Sequence, residues 1–301
     1  MLIVRFLLQG EEAPRIGVEL GDGIRPLPVS SLAELLHFSL ENIRDLVESA
    51  MGLPAIIDQV RLLPPIDGRM EVWAAGVTYQ RSREARIQES TQADVYDRIY
   101  VSERPELFFK CVGWRTVTNG EPIAIRRDST LNVPEPELAV VANKLAELVG
   151  YAVCNDVSSR SIEAINPLYL PQAKVYAGAC ALSAGIRPVW DVHDVRALDV
   201  RATVERAGVV AWDAATSTSQ LSRQPADLLE FLFREEHFPD GVVLSTGTGI
   251  VPDMDFTLHE GDWVTIRIAE VGVLTSFVVR GRDHFEWLSG SLAERPVLIT
   301  E

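Results

Sequence analysis

Two glutamates two residues apart are the first candidates for chemistry. They lie in Val133-Pro134-Glu135-Pro136-Glu137-Leu138-Ala139-Val140-Val141. In a strand, residues two apart point to the same face. Two adjacent carboxylates repel, so such a pair calls for a cation or a raised pKa. Alone, the segment reads more simply as solvated acids on an exposed strand edge, which the two prolines also suit.

A second segment changes the balance. Gly150-Tyr151-Ala152-Val153-Cys154-Asn155-Asp156-Val157-Ser158-Ser159-Arg160-Ser161 runs a strand pattern into a helix start. Asp156 suits a helix N-cap, and it equally suits a third carboxylate ligand. Three carboxylates with water match a hard divalent cation such as Mg²⁺ or Mn²⁺ rather than zinc. The following loop, Asn166-Pro167-Leu168-Tyr169-Leu170-Pro171-Gln172-Ala173-Lys174, offers a lysine. A loop lysine is usually a solvated charge. Beside a metal it can instead stabilise an enolate or move protons.

These residues need a scaffold, and the hydrophobic pattern outlines one. Residues 2–8, 15–20 and 23–28 read as short strands, and Ser31 to Ala50 as a helix. Leu62-Leu63-Pro64-Pro65-Ile66 reads as a stiff extended link. The pattern therefore predicts a small α+β N-terminal domain over 1–67 and a second domain over 68–301. In the second domain, strands are predicted over Val72–Val77, Leu107–Cys111, Pro122–Ile125, Leu138–Asn143, Val149–Cys154, Ala202–Val210, Val242–Ser245, Trp263–Ala269 and Val273–Val279. Helices are predicted over Tyr79–Tyr100, Asp156–Ile165 and Pro225–Glu236. Long strand runs with inserted helices indicate an α+β fold rather than a doubly wound sheet.

Composition sets outer limits. The 301 residues are 47% hydrophobic and 24% charged, which is ordinary for a globular chain. The net charge of −15 argues against nucleic acid and anionic membranes as partners. An anionic substrate would need a local positive site or a bound cation. The three cysteines, Cys111, Cys154 and Cys180, show no CxxC spacing and read as buried reduced thiols. The N-terminus lacks a signal-peptide pattern, and no apolar run approaches the ~18 residues of a membrane span. A cytoplasmic protein is expected.

Taken together, several segments resemble the fumarylacetoacetate hydrolase superfamily. They are Arg104-Pro105-Glu106-Leu107-Phe108-Phe109-Lys110, the Glu135–Val141 and Gly150–Arg160 segments, Lys174, Ser245-Thr246-Gly247-Thr248-Gly249, and Glu260-Gly261-Asp262-Trp263-Val264-Thr265-Ile266. They come in the family's order and span about residues 70–280. The resemblance implies a mixed β-roll catalytic domain after a small N-terminal domain, in a homodimer or homotetramer. It also implies Mg²⁺, with Mn²⁺ or Ca²⁺ as alternatives, held by Glu135, Glu137 and Asp156.

The family's branches differ in chemistry, and one departure is informative. The hydrolytic branch carries Gly-x-Asn-Tyr-x-x-His-x-x-Glu, whose His and Glu activate water. Here the stretch is Gly76-Val77-Thr78-Tyr79-Gln80-Arg81-Ser82-Arg83-Glu84-Ala85, with Ser82 and Ala85 at those two positions. A serine without a base cannot replace that dyad near neutral pH. The block ending in Lys110 and the run from Ser158 to Lys174 resemble the 2-keto-3-deoxy-sugar-acid dehydratase branch. Ala181-Leu182-Ser183-Ala184-Gly185-Ile186 departs from that branch's usual Leu-Gly-Pro. The resemblance implies metal-assisted enolisation of a small anionic 2-keto acid, followed by loss of its C4 hydroxyl. Acylpyruvate-type C–C hydrolysis, decarboxylation or isomerisation on the same metal site is the alternative.

Under this reading Glu106 is the candidate for acid–base work and Lys174 for stabilising the enolate or relaying protons. Which of them takes the C3 proton stays open. Ser82, Arg160 and Thr248 are candidates for substrate contact. Arg83 and Arg86, three apart, read as surface partners of Glu84 or Glu89.

Overall fold

The computed structural model describes residues 1–57, 59–89 and 93–296; the side chains of Glu89, Ala93, Asp94 and Tyr96 lie outside that description. An antiparallel sheet comes first. β1 (Leu2–Leu8) pairs with β2 (Arg15–Glu19) on one side and β4 (Val60–Leu63) on the other, and β3 (Ile24–Pro26) flanks β2. The extended link predicted from Leu62 thus begins inside a strand.

Two helices replace the one predicted over Ser31–Ala50: α1 (Leu32–Leu35) and α2 (Leu40–Ala50). Ser39 causes the break. It is extended, and its hydroxyl accepts from the Asn42 amide, which restarts the helix. Asp67 holds the start of α1, accepting from the Leu32 and Ala33 amides at 2.9 and 2.7 Å. Over the stretch predicted as one helix, Tyr79–Tyr100, the described residues form α3 (Gln80–Glu89) and α4 (Ala93–Val101). The two lie together, with the Arg83 Nε donating to Asp97 at 2.8 Å. Further on come α5 (Arg160–Glu163), α6 (Leu170–Lys174) and α7 (Pro225–Phe233).

The remaining strands are β5 (Glu71–Gly76), β6 (Glu106–Val112), β7 (Ile123–Ile125), β8 (Asn132–Val133), β9 (Pro136–Ala142), β10 (Leu148–Asp156), β11 (Ser158–Ser159), β12 (Cys180–Leu182) and β13 (Arg187–Pro188). After them come β14 (Asp199–Arg206), β15 (Val209–Ser217), β16 (Val242–Ser245), β17 (Trp263–Ile268) and β18 (Gly272–Arg280). The strand predicted over Ala202–Val210 is therefore a hairpin, β14–β15. Its two turn residues, Ala207 and Gly208, have φ of 51° and 77°, the paired positive values of a tight hairpin turn.

A central mixed sheet runs β12-β10-β9-β16-β5-β6, with β13 also on β10, and a second sheet runs β15-β14-β17-β18-β7. The central sheet curls until its edge strands meet. Lys110 on β6 donates to the carbonyls of Val157 and Lys174 at 3.2 and 2.6 Å, and Cys111 of β6 shares a buried cluster with Cys180 of β12. All three thiols are free and buried.

Both faces of the central sheet are covered, so its strands are apolar on both sides. Leu138, Val140, Val153 and Leu244 share a core with β14, β17 and α7; Ala139, Val141, Ala152, Cys154 and Val243 share one with β1, β2 and α2. Alternation then puts Glu137 and Asp156 on the face of Ala139 and Cys154. Glu137 and Glu106 stand near the starts of β9 and β6, while Asp156, Ser245 and Gly76 end β10, β16 and β5. Because β9 and β6 run opposite to their neighbours, these five residues gather at one end of the sheet.

Candidate active site

That end of the sheet holds the carboxylates. The Asp156 amide donates to the Glu135 carbonyl at 3.0 Å, and the Glu135 amide donates to Asn155 Oδ1 at 3.1 Å. One oxygen from each of Glu135, Glu137 and Asp156 lies within 4.8 Å of the others, and all three residues are buried. Asp156 is not a helix N-cap. β10 continues through it and β11 pairs with β8, so the helix predicted over Asp156–Ile165 contracts to α5.

Four cations surround these acids. Lys174 is not a loop lysine but a buried one at the end of α6. Its Nζ lies 2.5 Å from Glu135 Oε2 and 3.1 Å from Asp156 Oδ2. Lys110 forms an ion pair with Asp156. Arg160 Nη1 donates to Glu135 Oε1 at 3.1 Å. Arg86 departs from its predicted place on the helix surface: it is buried, 3.0 Å from both Glu135 Oε1 and Glu163 Oε1. Arg83 does stay near the surface, but it pairs with Asp97 on α4 rather than with Glu84, and the side chain of Glu89 is outside the described residues.

The surroundings drive the acids apart in pKa. Burial would raise Glu135, but Lys174 and Arg86 outweigh it and hold the carboxyl down at about 2. Burial, then repulsion from Asp156 and Glu135, pushes Glu137 up to about 8. Glu106 is pushed up to about 7 by desolvation and then by the Glu163 carboxylate. Glu163 itself is raised by burial, against the pull of Arg86. Lys174 goes the other way. Burial opposes its charge, but Asp156 and Glu135 outweigh burial and hold it well above the usual lysine range.

The other sequence candidates lie nearby but are engaged locally. The Ser82 hydroxyl donates to the Tyr79 carbonyl at 2.7 Å and accepts from the Tyr79 amide at 3.2 Å. The Thr248 hydroxyl donates to the Ile250 carbonyl at 3.0 Å and accepts from the Ile250 amide at 3.1 Å. Its neighbour does reach the cluster: the Gly247 amide donates to Glu137 Oε2 at 2.8 Å, alongside the Ser245 hydroxyl at 2.6 Å. Gly247 has φ of 91°, the left-handed region that favours glycine.

The donor set fits a hard divalent cation. It consists of carboxylate oxygens only, converging from the ends of β9 and β10 and from the loop before β9. Burial first, and then their mutual repulsion, lifts Glu137 to about 8, and a hard cation would relieve both. Glu135, Glu137 and Asp156 are the residues that would hold such an ion.

Sequence reasoning passed over Lys110, Arg86 and Glu163 as site members. Lys110 left a signal: it is a single charge in the apolar strand Leu107-Phe108-Phe109-Lys110-Cys111-Val112, and a buried charge needs a partner. Arg86 left a weaker one, falling at helical spacing from Tyr79 and Ser82.

A mixed β-roll ending in three convergent buried carboxylates is the frame of a divalent-metal enzyme. The chain belongs to the fumarylacetoacetate hydrolase family, with residues 71–279 matching the fumarylacetoacetate (FAA) hydrolase C-terminal model. It is 47% identical over 214 residues to a probable 2-keto-3-deoxyxylonate dehydratase of Haloferax volcanii, covering 71% of this chain and 73% of that protein. It is 39% identical over 230 residues to the 2-dehydro-3-deoxy-D-arabinonate dehydratase of Saccharolobus solfataricus, covering 75% and 77%. A solved structure of 2-keto-3-deoxy-D-arabinonate dehydratase complexed with magnesium and 2,5-dioxopentanoate superposes with a TM-score of 0.80 at 34% identity, covering 94% of this chain and all of that one.

Proposed function

We propose that the protein is a magnesium-dependent dehydratase of 2-keto-3-deoxy sugar acids. For a 2-keto-3-deoxypentonate the product would be 2-oxoglutarate semialdehyde. The observation that carries this reading is the likeness, over 94% of the chain, to a dehydratase complexed with magnesium and 2,5-dioxopentanoate. The acid cluster is consistent with Mg²⁺, and Mn²⁺ or Ca²⁺ would suit the same donors.

A divalent cation held by Glu135, Glu137 and Asp156 would supply Lewis acidity toward the substrate's keto oxygen and offset its negative charge. Glu106 takes the C3 proton. A carboxyl near pKa 7 is matched to that task, whereas Lys174, an ammonium between two carboxylates, has no free pair to accept one. Lys174 supplies positive charge where the keto oxygen becomes negative. Arg160 orients Glu135. The proton on Glu106 then passes to the C4 hydroxyl, which leaves as water, and tautomerisation toward C5 gives the aldehyde. Hydrolysis is disfavoured because Ser82 and Ala85 provide no base, and Ser82 is already hydrogen-bonded to its own helix start.

The substrate is thus a small anionic 2-keto acid. No helix among the described residues is long and apolar enough to cross a membrane. A cytoplasmic homodimer or homotetramer is part of the same reading. The test is to incubate the protein with Mg²⁺ and a panel of 2-keto-3-deoxypentonates, hexonates and acylpyruvates, and to follow products by mass. Loss of one water from a keto-deoxy acid, abolished by chelator, is expected. Release of pyruvate from an acylpyruvate, without dehydration, would overturn the reading.

A further inference from the structure

We infer that Gly76 is the seat of the Glu106 carboxyl and that its missing side chain sets where the acid–base group stands. The inference rests on the reading of Glu106 as that group. Gly76 ends β5 and is the direct cross-strand partner of Glu106, which opens β6. A Cβ built on Gly76 would lie 2.6 Å from Glu106 Cδ and 3.2 Å from its Cγ, and closer still to Oε2. The Glu106 side chain therefore lies flat across the Gly76 backbone.

The backbone does not require this glycine. Gly76 is absent from the positions with positive φ, and the β5–β6 ladder is in register from Trp73 through it. Glycine inside a strand costs stability, and close approach by another group is the usual reason for one. Here the approaching group is the carboxyl itself.

The direction of approach matters. β6 is the last strand in the order of the central sheet, and its other side faces α6, where Lys110 donates to the Lys174 carbonyl. β5 lies between β6 and β16, and beyond β16 is β9, which carries Glu137. By crossing Gly76, the Glu106 carboxyl is carried over β5, where the charges acting on it are those of Glu163, Arg86, Lys174 and Glu135. Any side chain at 76 would push it back. Gly76 is thus a positioning residue acting through Glu106.

The decisive experiment is a double-mutant cycle of Gly76→Ala with Glu106→Gln, measuring kcat, KM and Mg²⁺ affinity without substrate. Gly76→Ala alone should lower kcat by about 100-fold, the scale of an ångström-sized misplacement, with Mg²⁺ affinity unchanged. Added to Glu106→Gln, it should cost less than about twofold, because its effect passes through the carboxylate. Wild-type kcat in Gly76→Ala, or losses that multiply in the double variant, would overturn the inference. The two readings fail separately. Full activity in Glu106→Gln would remove the acid–base assignment itself, and the inference with it. An inactive Glu106→Gln beside a fully active Gly76→Ala would remove only the role of Gly76. Should Gly76→Ala not fold, Gly76→Ala in a Glu106→Ala background decides the matter. The three nearest atoms to the new Cβ are then gone, so that double variant should unfold at the temperature of Glu106→Ala. Failure of the double variant to fold would overturn the inference.

Discussion

Lys174 Nζ stands 2.5 Å from Glu135 Oε2 and 3.1 Å from Asp156 Oδ2, so one buried ammonium ties together two of the three converging carboxylates. The pair is desolvated, and removing the cation leaves two buried acids with less compensation. Lys174→Met should therefore lower the stability of the metal-free protein by about 3 kcal/mol. It should also lower turnover by about 100-fold or more, as expected for losing a charge aimed at a developing anion. Mg²⁺ affinity should not fall, because a competing cation has gone. Urea unfolding, turnover and calorimetric Mg²⁺ titration measure the three effects. Wild-type turnover in this variant would end the electrostatic role proposed for Lys174.

As a proposed metal ligand, Glu137 should make metal binding depend on pH. Burial and its acidic neighbours push it up to about 8, so below that pH the metal-free carboxyl keeps its proton. A ligand must be deprotonated, so binding releases that proton. Mg²⁺ affinity should rise with pH up to about 8, and fall by about tenfold per unit below it. Calorimetry in buffers of different ionisation enthalpy counts the released protons. Glu137→Gln should abolish the release and weaken binding at every pH. Affinity that does not change between about pH 6 and pH 8 would show that Glu137 is already ionised.

Much of this site could be read from spacing. The spacing of Glu135 and Glu137 suggested a pair on one strand face, although Glu135 lies in the loop just before β9, and their grouping with Asp156 came from the family resemblance. What spacing could not show is the set of partners brought in by long-range packing. Arg86 looks like one of a pair of surface arginines in its helix. Only when α3 docks on the roll does it meet Glu135 and Glu163. Asp156 was ambiguous because an aspartate between a strand and a helix suits both roles. The β11–β8 pairing that extends the strand comes from Val133, more than twenty residues earlier. The same limit explains the break between α1 and α2. Ser39 is one of several serines, and its capping role depends on how the chain turns to place α2 against the sheet.

Glu106 should appear directly in the rate profile. Its carboxyl is raised to about 7 by desolvation and by Glu163. A base must be unprotonated, so kcat/KM, which reports the free enzyme, should rise with pH through a limb near 7 and level off above it. In Glu163→Gln the neighbouring charge is gone, so the limb should move to lower pH. In Glu106→Gln the limb should vanish with most of the activity. A limb that stays in place in Glu163→Gln would mean that the two carboxyls do not interact.

Asp240 tests the frame rather than the chemistry. It lies just before β16 and accepts from the Arg69 amide at 2.8 Å, from Arg69 Nε at 3.1 Å and from Arg69 Nη2 at 3.0 Å, with His37 Nε2 also 3.1 Å away. It therefore joins the entrance of β5 to that of its parallel neighbour β16, and both to the α1 end of the first sheet. The Arg69 side chain, above all, holds its pKa well below the usual carboxylate range. Arg69 is 73% exposed, so solvent screens much of the ion pair. The hydrogen bonds to a buried acceptor keep Asp240→Asn at a cost of about 1–2 kcal/mol at pH 7. The sign of the pH dependence follows from the lowered pKa. In the unfolded chain Asp240 titrates near 3.9, and in the folded chain lower, so its contribution is complete above about pH 5 and shrinks as the pH falls through that range. Urea unfolding of both proteins at neutral and acid pH should show the gap closing on the acid side, with kcat at neutral pH unchanged. A gap of the same size at both pH values would mean that Asp240 acts through its shape and hydrogen bonds, not its charge.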